Sequence, residues 1–308
     1  MIEDFLKMHG KCYYSTTANP CIGGTVLDIA REGTILEKEE LTTNIYEMKL
    51  YAPKIARAAH AGQFMLLMVD EKGERVPMTM VDWDSTQGWI DIVYQEVGTT
   101  TIKLTGHGVG DRLFYVAGPL GKPSRVGKFG RVVVIGGGVG VPAVYPIART
   151  LKLQGNYVVS IIGAKTSNAL VYEEKMKEVS DELIVTTDDG SRGLKGFTSD
   201  ALRGLLLNGQ EFNAMWSVGP TLMMKACSDV AAGKIPNSFA SLNSLMVCGV
   251  GMCGACRVTV KDKILLTCVD GPEFISYDVN WKELAIRLKS YMREETVSLE
   301  MLRGADKL

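Results

Sequence analysis

The chain has 308 residues, 46% hydrophobic and 22% charged, with a formal net charge of −1. That balance argues against nucleic acid or a membrane surface as a partner, and no run reaches the roughly 18 apolar residues of a membrane span. The acid-bearing N-terminus MIEDFLKMHGK lacks the apolar core of a secretion signal, so a cytoplasmic protein of two or three domains is expected.

In chain order, residues 1–32 form an N-terminal extension carrying Cys12 and Cys21. It reads as a solvated or partner-docking segment. From 33 to 128 the pattern is β: Ile45–Leu50, Gln63–Val69, Trp89–Gln95 and Arg112–Ala117 are short, rich in β-branched or aromatic residues, and separated by Gly, Pro and Asp. Such spacing suggests a closed barrel or a sandwich. From 129 to 235 the pattern changes. The apolar run Val132–Ile135 suits a strand buried on both faces, and Ala143–Leu153 follows at helical spacing. Strands at Tyr157–Ile162, Leu183–Thr187 and Met215–Val218 then alternate with helices at Leu170–Val179, Ser199–Leu207 and Thr221–Ala232. That alternation implies a doubly wound parallel sheet. Residues 236–308 hold a cysteine module and two charged helical segments.

The cysteines carry the strongest chemical signal. Cys248, Cys253, Cys256 and Cys268 are spaced C-x4-C-x2-C-x11-C, with Gly249, Gly251 and Gly254 between the first three. C-x4-C-x2-C is the plant-type [2Fe–2S] spacing. Glycines let a loop turn through positive φ and aim amides at sulfur. The competing readings are structural zinc and unliganded thiols. Only one C-x2-C pair exists, and the chain's three histidines (His9, His60 and His107) lie far away in sequence. Disulfides do not suit seven cysteines without a secretion signal.

Gly136–Gly140 follows a strand and opens a helix, a geometry that presents amides to a pyrophosphate. It is not a full G-x-G-x-x-G, because position 141 is Val, and Gly163-Ala164-Lys165 stands where an acidic ribose ligand is expected. Asp188-Asp189-Gly190-Ser191 and Gly219-Pro220 follow strands, so they fall at the carboxyl edge of the sheet. Arg75 offers a donor fork to phosphate, with Pro77, Met78 and Thr79 close behind it, and Gly98-Thr99-Thr100-Thr101 could cradle phosphate with hydroxyls and amides. Taken singly, each of these also reads as an ordinary turn or a surface strand.

The order of the pieces is more informative. R-x-P-x-T, then GPLG, GGGVG, DDGS, GPxxMM and the cysteine module resembles the ferredoxin–NADP reductase-like flavoproteins. Within them the chain is most similar to the small subunit of NADH-dependent ferredoxin:NADP oxidoreductase and sulfide dehydrogenase. The electron-transfer subunit of dihydroorotate dehydrogenase is a close relative. The resemblance covers about residues 34–275, and GMCGACRV, CVDGPEF and GERVPMTMVDWD carry most of it. It implies an antiparallel FAD-binding β-barrel, a doubly wound dinucleotide domain and a small [2Fe–2S] module held by the four cysteines. It places Arg75, Pro77, Met78, Thr79 and Gly98–Thr101 around FAD. Gly137, Gly138, Gly140, Asp188, Gly219 and Pro220 would surround NAD(H), with NADP(H) possible.

A nicotinamide exchanges two electrons as hydride and a [2Fe–2S] cluster exchanges one, so a flavin must stand between them. The implied activity is that of an NAD(P)H-dependent oxidoreductase subunit needing no acid–base catalytic residue. The resemblance further implies a larger flavoprotein and iron–sulfur partner, ferredoxin reached through the complex, and electron bifurcation among NADH, NADPH and ferredoxin. The alternatives are the dihydroorotate dehydrogenase subunit and a non-catalytic scaffold with a four-thiolate zinc site.

Overall fold

The computed structural model describes residues 30–305. The expectations placed on Cys12 and Cys21 lie outside the described residues.

Six antiparallel strands form the first lobe: β1 (Ile35–Thr42), β2 (Ile45–Tyr51), β3 (Phe64–Met68), β4 (Val76–Asp84), β5 (Trp89–Gln95) and β6 (Tyr115–Leu120), in the order β1-β2-β5-β4-β3-β6. Segment 110–113, just before β6, bonds back to Gly33 and Ile35 and closes the sheet on itself. Alternate residues point inward, so Met48, Leu50, Met65, Leu67, Ile90 and Ile92 fill the interior. Two short helices attach, α1 (Pro53–Ala58) and α2 (Thr99–Thr105).

The second lobe is a sheet of seven strands: β7 (Arg131–Gly137), β8 (Tyr157–Ala164), β9 (Glu182–Thr187), β10 (Leu194–Lys195), β11 (Ala214–Val218), β12 (Asn237–Ser241) and β15 (Glu273–Ile275). Its order is β10-β9-β8-β7-β11-β12-β15, parallel except for β15. The apolar run of β7 is explained by burial on both faces. Val132 and Val134 pack with Val144, Ile147 and Leu151 of helix α3 (Gly140–Leu153). Val133 and Ile135 face the other way, toward Leu202 of α5 (Thr198–Leu207) and Cys227 of α6 (Thr221–Ala231). Between β8 and β9 the sequence suggests one helix over Leu170–Val179. The structure instead has a single 3-10 turn at Ser167–Ala169 and helix α4 (Glu173–Glu178), with Tyr172 at its N-cap in the left-handed region at φ 61°.

The hairpin β13 (Arg257–Val260) and β14 (Lys263–Leu266) precedes β15. Helix α7 (Trp281–Arg287), capped by Asn280 accepting from the Glu283 amide, and α8 (Met292–Ala305) complete the described chain. Strands β12 and β15 lie past residue 235 yet belong to the dinucleotide-type sheet. The cysteine loop is therefore threaded between two of its strands. No described helix is long and apolar enough to cross a membrane.

Candidate functional site

The strand order reverses beside β7, with β8 on one side and β11 on the other. Ligands of open α/β sheets bind outside the carboxyl ends at such a switch point. The loops after β7 and β11 meet there, at the mouth of a cavity of about 960 Å³ whose other wall is the barrel. Pro77, Met78, Thr79 and Thr101 line it from the barrel, and Gly137, Gly138, Gly140, Asp188, Gly219 and Pro220 line it from the sheet edge.

Four expected residues are not part of that lining. Arg75 precedes β4 at the surface, with its guanidinium over the Tyr115 ring at 5.7 Å. Among the described residues it has no carboxylate partner. Gly98–Thr101 is a helix start rather than an open loop. The Val97 and Gly98 amides both donate to Thr101 Oγ1 at 3.0 Å, Thr100 is buried, and Thr99 Oγ1 lies 2.8 Å from Ser298 Oγ of α8.

The glycines of the β7 loop differ in role. A Cβ on Gly140 would overlap the Val218 carbonyl, so this glycine serves the close approach of α3 to β11. A Cβ on Gly137 would overlap the Met223 sulfur, and one on Gly219 would come within 2.9 Å of the Met223 methyl. Met223 therefore fills the gap between the two loops. Gly138 alone faces open space, with φ +55°. Met223 belongs to the GPxxMM run, but reasoning from sequence did not single out Ser241, Asn243, Met246 or Phe64, all of which line the cavity. Nothing local marks them, because their position depends on strands far apart in the chain.

The four cysteines come together in two pairs. Cys256 and Cys268 are buried with their sulfurs 3.2 Å apart. Cys248 and Cys253 lie nearer the surface. The Met252 and Cys253 amides donate to Cys248 Sγ at 3.3 and 3.4 Å, and the Ala255 amide donates to Cys253 Sγ at 3.5 Å. Gly249, Gly251 and Gly254 all have positive φ, which lets the loop aim these amides. Amide donation, chiefly from Cys253, pulls Cys248 down to about 6, while burial beside Cys256 pushes Cys268 up to about 12. Four thiols in a loop that turns its amides toward sulfur suit a two-iron group.

The cysteine loop packs on the barrel. A Cβ on Gly249 would lie 2.6 Å from Leu66 of β3. Phe64, Leu66, Met246, Cys256 and Cys268 form one apolar cluster. Phe64 and Met246 also line the cavity, so the thiols and the cavity share a wall.

Residues 243–280 match the model of the iron–sulfur cluster binding domain of dihydroorotate dehydrogenase B. A Thermotoga maritima protein, the dihydroorotate dehydrogenase B (NAD(+)) electron transfer subunit homolog, is 42% identical over 279 residues, covering 91% of this chain and 96% of its own. The chain belongs to the family of dihydroorotate dehydrogenase B electron-transfer subunits and their homologues. The Geobacillus thermodenitrificans member is 32% identical over 80% of this chain and 96% of its own. Among solved structures, a chain of an NADH-dependent reduced ferredoxin–NADP oxidoreductase studied for flavin-based electron bifurcation matches with a TM-score of 0.85 and 41% identity. That match covers 91% of this chain and 99% of the other. Phthalate dioxygenase reductase, at 14% identity and a TM-score of 0.53, shares the fold. The order of motifs resembles this same group of proteins, and the matched solved chain shares the fold described here over 91% of this chain.

Proposed function

We propose that this chain is the electron-transfer subunit of an NAD(P)H-dependent oxidoreductase, passing electrons between NAD(H), FAD and a [2Fe–2S] cluster to a larger flavoprotein subunit. The carrying observation is the shared wall: Phe64 and Met246 belong both to the cavity and to the apolar cluster around Cys256 and Cys268. When bound, the flavin takes a hydride as two electrons and yields them singly to the cluster. The chain's own residues hold and align these groups. Pro77, Met78 and Thr79 present strand β4 to the flavin, and Thr101 stands at the same wall. Arg75, free of any described carboxylate, serves the diphosphate from outside the cavity. Gly138 gives the dinucleotide access to the β7 loop, and the similarity to an NADH-dependent oxidoreductase favours NADH as the donor. Cys248, Cys253, Cys256 and Cys268 hold the cluster.

The functional spans are 33–128 for flavin, 129–235 for dinucleotide and 236–308 for the cluster, with β12 and β15 shared between the last two. The surroundings of Cys253 support handover to a protein partner. Met252 is 85% exposed, and Val247 and Val250 are each 54% exposed, an apolar rim around an exposed thiol. The similarity to the bifurcating oxidoreductase favours a cytoplasmic complex that joins NADH, NADPH and ferredoxin. The name of the matched iron–sulfur model supports a second reading, with a dihydroorotate-oxidising partner.

Anaerobic isolation of the native complex tests both readings. FAD, iron and acid-labile sulfide should accompany the chain, NADH should bleach the flavin, and the copurifying subunit chooses between the two partners. Colourless protein holding zinc, with no iron or flavin, overturns the proposal.

A further inference from the structure

Strands β1, β2, β4 and β5 turn one face of the barrel toward α3, α4 and the 3-10 turn of the second lobe. Four polar ties cross that seam. The Thr42 hydroxyl donates to the Asn168 carbonyl, and the Tyr172 hydroxyl donates to Glu47. Lys175 Nζ lies 3.0 Å from Glu47 Oε1, and Arg149 lies 2.7 Å from Asp82 Oδ1. The Arg149 guanidinium also sits over the rings of Trp83 and Tyr145, at 5.5 and 5.3 Å.

Asp91 lies at the centre of this seam, 8% exposed, with Oδ1 enclosed and without a hydrogen-bond partner. The strand register places it between Lys49 of β2 and Asp82 of β4. Like charges directly opposite on neighbouring strands repel, and a buried carboxylate without donors is costly. Asp82 is already committed to Arg149, and Glu47 to Tyr172 and Lys175. Burial pushes Asp91 up to about 7. Lys49 and Lys175 oppose that push, and Glu47 and Asp82 add to it. Tyr172 is a second sign of constraint. Its φ of 61° is unfavourable for a bulky residue. It is retained where its ring meets Tyr145 edge-on at 5.7 Å and its hydroxyl reaches Glu47.

We propose that Asp91 is a proton-operated latch: protonated, it lets the barrel and the second lobe dock across the cavity they share, and ionised, it loosens them. The elements involved all run into the cavity wall. Asp91 is two residues from Val93 and Asp82 three from Thr79, while Arg149 rides on the helix that starts at Gly140; Val93, Thr79 and Gly140 all line the cavity. The proposal concerns the lobes alone and holds whichever cofactors the cavity takes.

The docked form binds the Asp91 proton more tightly than a loosened form that exposes it. Docking is therefore strongest at acid pH, weakens as pH rises to about 7, and is level above that. Hydrogen exchange on the full chain as isolated, corrected for the intrinsic rate, reads this directly. Between pH 5 and 8, protection in β4 and α3 should fall at least about tenfold more than protection in β11 and β12, which report the fall common to the whole fold. Asp91→Asn should remove that excess. Arg149→Met should lower protection at pH 5 already, and it keeps the test open should Asp91→Asn fail to fold. A wild-type fall no larger in β4 and α3 than in β11 and β12, an excess retained in Asp91→Asn, or unchanged protection in Arg149→Met each overturns the latch.

Discussion

At the scale of single residues, the glycines of the β7 loop divide into structural and open positions. Gly140 is pressed against the Val218 carbonyl, a backbone atom with no freedom to yield, whereas Gly138 faces open space. Gly140→Ala should destabilise the chain by more than about 2 kcal/mol by overpacking. Gly138→Ala should cost about 1–2 kcal/mol for its left-handed φ while weakening NADH binding, and denaturant melts with a nucleotide titration separate the two. Cys253→Ser should abolish iron and sulfide while sparing NADH bleaching of the flavin, because the mutated side chain is exposed and touches no cavity wall. The motif GGGVG was legible as a strand-to-helix turn, and it lies at the cavity. Which glycine does what was not, because Val218 and Met223 lie some 80 residues downstream. The iron–sulfur module was legible from the cysteine spacing, and the matched domain, residues 243–280, contains all four cysteines.

At the scale of elements, the apolar strands β7 to β9 and β11, and the helices α3, α5 and α6, stand close to where apolar periodicity places them. Strand β1 does not announce itself: ILEKEELT is charged along its exposed face, and only Ile35 is deeply buried. Gly98–Thr101 reads as a hydroxyl-rich loop but opens helix α2, whose Thr99 meets Ser298 of α8. That contact joins residues about 200 apart, and no local pattern encodes it. Most of α8 is exposed, including Met301 and Val297. Ending the chain after Leu288 should lower the melting temperature by no more than about 5 °C yet speed the loss of bound FAD. Unchanged FAD retention on dilution would dissociate α8 from the flavin side of the barrel.

At the scale of the whole molecule, Glu273 joins all three parts of the fold. It sits on β15 of the parallel sheet, just past the cysteine loop, and accepts from the Ser124 hydroxyl of the segment leading out of the barrel. Part of the residue reaches the surface, but its Oε2 is enclosed and lacks a partner. Burial pushes the carboxyl up to about 7, against the Ser124 donor and the charge of Arg125. The folded state thus retains a proton that the unfolded chain releases near the ordinary carboxyl value. Stability should fall as pH rises from about 4.5 to 7, by at most about 1.4 kcal/mol per unit, and level off above. Glu273→Gln should flatten this component, and the difference between variant and wild-type melting curves from pH 5 to 8 isolates it from that of Asp91. The order of the three parts was readable from motif order. This junction was not, because it is made by side chains brought together from every part of the chain.

The antiparallel pairing of β15 with Phe239, Ala240 and Ser241 of β12 has a mechanical implication. The polypeptide leaving the last cysteine is stitched into the same scaffold that supports the nucleotide loops, so the sulfur-bearing module cannot swing like a tethered carrier. With the two lobes docked, the inner hop spans a fixed gap and should ignore solvent viscosity. Only the handover to another protein, across the rim at Met252, should slow as the medium thickens.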